Sequence, residues 1–171
     1  MSQHQSDILK IGFPPHPRFD FRSVKQAAAR SPFLVLCCTE PFRIFFPLGT
    51  VIGISGVSLW PLFFSGIHTS FYPGLMHARL MIEGFLGAYV IGFLGTAMPR
   101  LLGGRRFSGW EVGTLLVAHL AMVALHIAKR PADGDLVFLL ECVALLSMLG
   151  RRWGPREDSP PPSFVLVLLG F

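Results

Sequence analysis

The sequence predicts an all-α fold: a polytopic transmembrane helix bundle with about four spans and a partial fifth at the C-terminus. Three observations predict it. Hydrophobic residues make up 51% of the chain and charged residues only 15%, against about a quarter charged in an average soluble domain. The mean hydropathy is +0.54. Charge is also uneven, dense before Arg43 and then confined to short clusters between long apolar runs. That is how spans and loops alternate.

Residues 1–41 are polar and mixed, with PPHP at 14–17 and the basic residues Lys10, Arg18, Arg22, Lys25 and Arg30. They read as a cytoplasmic tail, and 42–171 as the transmembrane region. With a polar start and a late, long first apolar run, no secretory signal peptide is expected. The spans are expected over about 44–67, 77–98, 110–128 and 136–150. A run of ~20 apolar residues at ~1.5 Å each covers a ~30 Å hydrocarbon layer. The fourth run is shorter and carries Glu141. SFVLVLLGF at 163–171 reads as the opening of a fifth helix.

Orientation follows from the basic residues. The tail holds five Lys and Arg, the 99–109 loop three and the 150–162 loop three, whereas the 68–76 loop holds none. The positive-inside rule then places the N-terminus in the cytoplasm. The formal net charge of +5 belongs to these flanks and to anionic headgroups, and no nucleic-acid partner is expected. Cys37, Cys38 and Cys142 lack the spacing of a redox or zinc motif and read as packing residues.

Small residues mark the helix contacts. Gly49 and Gly53 form a GxxxG in the first span, with Gly56 beyond it. In the second, His77, Gly84, Ala88 and Gly95 fall near one line at 100° per residue, so this face should meet another helix, the Gly49–Gly53 face being a candidate. Arg79 and Glu83, four apart, are expected to pair with each other.

Ionisable groups inside spans are costly and mark functional sites by default. Here they are His77, Arg79, Glu83, Glu111, His119, His126 and Glu141. His119 and His126 share a face of the third span, ~10.5 Å apart along its axis. They cannot hold one ion together, and each needs a partner from another helix. The topology brings His68, His77 and His126 to the same outer interface, a donor set able to ligate copper or an iron porphyrin.

FRIFFPLGTVIGISGVSLWPL followed by MHARLMIEGFLGAYVIGFLGTAMPRLLGG resembles the opening of the NnrS family. The match lies in a Phe-Arg entry, a His-Ala pair opening the second span and a GFLxTAxP exit, in that order. The resemblance implies a multi-span protein of the bacterial inner membrane that contains haem and copper and is associated with the response to nitric oxide. Among the ligand-capable histidines read from the spans and their outer ends, His77, His126 and His119 are then the candidate cofactor-binding residues and His77, His126 and His68 the candidate metal ligands. Where the family commonly reads His-Ala-His-Glu-Met, this chain has His77-Ala78-Arg79-Leu80-Met81, so only His77 carries over at that motif.

No nucleophile signature, phosphate-cradling loop or dinucleotide fingerprint is present, and no catalytic residue is assigned. The alternative to a haem or copper protein is a metal-free membrane scaffold or transporter-like component, in which Glu83, Glu111 and Glu141 mark a polar path. The expected partners are the lipid bilayer and either further membrane subunits or a C-terminal part of the bundle.

Overall fold

Each of the four long apolar runs forms a helix. The computed structural model describes residues 36–37, 39–67 and 72–153. Four helices follow one another: α1 (Phe42–Phe64), α2 (Gly74–Leu101), α3 (Gly109–Ile127) and α4 (Pro131–Trp153). No strand occurs among the described residues. Most of the tail (1–35 and 38), His68 and the stub at 163–171 lie outside them.

Three of the four, α1, α2 and α3, are long and apolar enough to cross a membrane. At 23 residues, α4 is long enough as well, ~34 Å at the helical rise. It begins five residues before the expected 136, because Pro131 starts this helix as well as ending the segment before it. Proline suits a first helical position, where its missing N–H has no partner to lose. Asp133 near the start and Arg151 and Arg152 in the last turn suit the helix dipole. A capping box opens α3: the Ser108 hydroxyl accepts from the Glu111 backbone N–H, and the Glu111 carboxylate accepts from the Ser108 N–H.

The bundle is built on two close pairings. Along α1 and α2 the small residues meet: a Cβ on Gly49 would stand 3.0 Å from that of Ala88, and one on Gly84 would stand 2.6 Å from Ile52 Cγ2. Phe85 covers Gly53, and Leu80 and Met81 cover Gly56. The small-residue faces of the first two spans therefore pack on each other, and dispersion at close range holds them. On the other side α3 runs back against α4 through the short turn at Ala128–Arg130.

Polarity is inverted relative to a water-soluble fold. Val51, Ile54, Val57, Val117, Leu139 and Val143 point outward and are more than half exposed, while His119 and Glu141 are fully buried. An apolar belt around polar interior groups is the surface that lipid requires.

The apolar core occupies one end. Phe45, Leu94, Met98, Val112, Leu145 and Met148 interdigitate there. Arg152 locks that end: its guanidinium donates to the carbonyls of Arg105, Arg106 and Met148 and to Glu111 Oε2 at 2.6 Å, and it lies over the Phe107 ring. Glu40 bridges Arg43 and Arg100 nearby.

Candidate functional site

The polar groups gather at mid-bundle and at the opposite end, where α2 departs from regular geometry. Residues Leu80–Leu86 form a π-helical segment, a wider turn that recurs at functional sites. It aims two consecutive residues at α3. The Gly84 carbonyl meets His119, and the Glu83 side chain meets His126.

His119 is fully buried. Its Nε2–H donates to the Gly84 carbonyl at 2.9 Å, since a carbonyl only accepts. Nδ1 lies 3.2 and 3.1 Å from the two oxygens of Glu141 on α4. One proton between Nδ1 and the carboxyl satisfies both groups, and whichever atom carries it, the pair is neutral overall. The Phe45 ring meets the imidazole edge-on at 6.1 Å. Two turns along the same face, His126 is also buried, but differently held. Its Nε2 lies 2.9 Å from Glu83 Oε2, while Nδ1 is buried with no hydrogen-bond partner.

Around His126 stand groups that could hold a metal ion. Glu83, His126 and Asp135 each present a ligand atom, and these atoms lie within 4.8 Å of one another. Gly134 makes room for the ring, because a Cβ there would stand 2.5 Å from His126 Cε1 and 2.7 Å from Nδ1. Arg79 grips Asp135 through two hydrogen bonds of 2.8 and 3.0 Å. A cleft of about 230 Å³, bounded by Leu75, Ala78, Arg79, Ile82, Glu83 and Asp135, leads to the cluster.

The expected Arg79–Glu83 pair is not the one observed. Arg79 pairs with Asp135 on α4 and Glu83 with His126 on α3, because the π segment changes the register that an i, i+4 pair on a regular helix relies on. His77 does not face His126 either. It turns to α1, where Nδ1 lies 2.9 Å from the Gly56 carbonyl, and its ring meets Trp60 edge-on at 5.9 Å. With Nδ1–H donating, Nε2 carries the lone pair. Glu111 belongs to the capping box and to the Arg152 lock rather than to a polar path through the bundle. Asp135 and Glu141 are the site residues the sequence did not single out as partners of histidine. The signal for Glu141 was present, as the lone acid of the fourth run opposite a mid-span histidine lacking a partner. Asp135 gave none, since it precedes the apolar run.

The NnrS protein family model matches residues 37–170. No curated protein and no solved structure matches the chain.

Proposed function

The chain belongs to the NnrS family, and from that premise we propose that it is a metal-binding membrane protein of the nitric oxide response. In this reading Glu83, His126 and Asp135 hold a copper ion at one end of the bundle. One observation carries it: a buried imidazole with an unpartnered nitrogen, seated against a glycine and grouped with two carboxylates. Mixed nitrogen and oxygen donors suit Cu(II), which also binds most tightly among the divalent first-row ions. Haem, the other group the family implies, finds no ligand in His119, both of whose nitrogens are held. His77 is the residue that would hold it, because its Nδ1–H is tied to a carbonyl as ligating histidines usually are.

Bound at the cluster, the metal would supply Lewis acidity or a one-electron couple. The chain's own residues hold and tune the site. The Gly84 side of the π segment keeps Glu83 aimed at α3, and Gly134 fixes the ring plane. Arg79 balances the acids and must yield Asp135 for the ion to use it.

The protein sits in the bacterial inner membrane with its Arg-rich end, carrying Arg43, Arg100, Arg105, Arg106, Arg151 and Arg152, toward the cytoplasm. The opposite end balances Arg79, Lys129 and Arg130 against Glu83, Asp133 and Asp135, so the positive-inside rule favours this orientation. An impermeant thiol reagent applied outside should label a cysteine placed at Arg130 and spare one at Arg106.

A second reading has support in the Arg79–Asp135 pair, because a guanidinium can itself be the cation of the cluster. The chain would then be a metal-free scaffold or transporter-like component. Metal analysis and Cu(II) paramagnetic resonance of the detergent-purified protein separate the two. The metal reading expects stoichiometric copper with coupling to a single imidazole nitrogen, lost in His126→Ala. A copper-replete preparation that binds none leaves the metal-free reading standing. A Soret band that disappears in His77→Ala would add haem at the other histidine.

A further inference from the structure

We propose that His119 and Glu141 form a proton-binding site at mid-bundle, loaded and unloaded through the cleft between α2 and α4. The proposal does not rest on the metal reading and concerns different side chains.

The chemistry begins with the Gly84 carbonyl. It fixes Nε2 of His119 as the protonated nitrogen, so Nδ1 and the Glu141 oxygens about 3 Å away must share whatever proton lies between them. With that proton the pair has no net charge. Without it, a lone pair faces a carboxylate and one negative charge is left in a low-dielectric interior. The pair is therefore a trap for a single proton. Ionisable side chains buried at span depth are rare outside ion and proton pathways. A purely packing role would be served equally well by two apolar residues.

The second observation is access. A cleft of about 200 Å³ separates α2 from α4, and its lining includes Ile82, Leu86, Gly87, Phe138, Glu141 and Cys142. Glu141 is its one carboxylate, so the acid of the pair meets the cleft while the imidazole lies behind it. Gly87 forms the wall between them: a Cβ there would stand 3.3 Å from Phe138 and 3.5 Å from His119 Cε1. The cleft has volume for several waters at ~30 Å³ each, which must enter along the bundle from its polar end, because the rim at Leu86 belongs to the outward apolar belt. A proton leaving the pair departs from a Glu141 oxygen to a water in the cleft, leaving the carboxylate. A proton returning by the same path restores neutrality, and the Nε2–H bond to Gly84 is untouched. The other titratable groups nearby are Cys142 on the cleft wall and Glu83, one residue before the Gly84 anchor.

The test follows hydrogen–deuterium exchange by solid-state NMR. The full chain, metal-free and carrying 15N-histidine, is reconstituted in vesicles of phosphatidylethanolamine and phosphatidylglycerol, and His119 is assigned by the signals lost in His119→Gln. On transfer to D2O the proton-coupled Nδ1 signal should vanish within minutes. Leu86→Trp narrows the cleft from its half-exposed rim without touching the pair, and should slow exchange by about tenfold or more, as expected when exchange depends on solvent access. Glu141→Gln should abolish the shared-proton signal and leave that of Nε2. A native Nδ1 signal that survives for hours would show a sealed structural pair and overturn the proposal. So would exchange in Leu86→Trp as fast as in the native chain, or a shared-proton signal retained in Glu141→Gln.

Discussion

His119 and His126 stand two turns apart on the same face of α3, and both are buried, yet their surroundings differ in kind. Both ring nitrogens of His119 are engaged, one by a carbonyl of α2 and one by a carboxyl of α4. His126 has a partner at one nitrogen and none at the other. Its neighbours include Asp135, whose side chain is 42% exposed, and Arg79 at 26%. The contrast teaches where ligand capacity resides. Depth alone does not confer it, because the deeper histidine has nothing left to donate or accept. It belongs to the site whose polar valences remain open and whose acids can trade a guanidinium for an ion.

The largest expected effect sharpens that contrast directly. Glu141→Ala removes the partner of a fully buried imidazole and opens a cavity. Breaking a buried pair by deleting one member costs about 3–5 kcal/mol. Glu83→Ala, at a partly exposed side chain, should cost about 1–3 kcal/mol, the penalty for one unsatisfied group. Denaturant unfolding in detergent micelles measures both. Equal losses would erase the distinction between a histidine paired at both nitrogens and an open cluster. Replacing both His119 and Glu141 by leucine should recover most of the stability lost in Glu141→Ala, since two apolar groups leave no orphaned charge.

Next in size is Gly134→Ala. The added methyl would press on the His126 ring, and an overpacked site costs about 1–3 kcal/mol. The informative readout is metal binding. Displacing the ring should lower copper affinity by about tenfold or more, in the range seen when ligand positioning is disturbed. Gly113→Ala on α3, where a Cβ meets nothing, should change neither property. If Gly134→Ala unfolds the chain less than expected and binds copper normally, the ring is not held by this contact.

Much of this architecture was legible in the sequence, and the reason is physical. Lipid demands long apolar runs, so Ile44, Trp110 and Leu136 announced their helices by composition alone, and the glycines at 49, 53 and 84 announced a close helix pair. That His119 needs a partner from another helix followed from its place inside a span. What the sequence could not disclose was pairing. The Arg79–Glu83 reading assumed a regular α2, and no residue in Leu80–Leu86 signals a π turn, because the extra residue is accommodated by tertiary packing. Asp135 was invisible for another reason. It lies outside the apolar run by which span residues are recognised, and only the return of α4 along α3 brings it beside His126.

The smallest expected effect on stability comes from Arg79→Gln, and it divides the two functional readings. The Arg79–Asp135 pair lies at the partly exposed end of the bundle, where such pairs contribute about 0–1 kcal/mol. Its loss should therefore barely move the unfolding midpoint. Its effect on a metal ion is another matter. The guanidinium occupies both oxygens of Asp135 and places a positive charge beside the position an ion would take, so metal binding must break the pair and overcome that repulsion. Glutamine removes the charge and leaves the two acids and His126 with less to balance them. Copper affinity should rise by about tenfold, the scale of one neighbouring unit charge at a partly solvated site, as measured by competition with a chelating dye. If Arg79 is itself the cation of the cluster, the outcome reverses: Arg79→Gln gains no copper, and adding Asp135→Asn restores what little stability was lost.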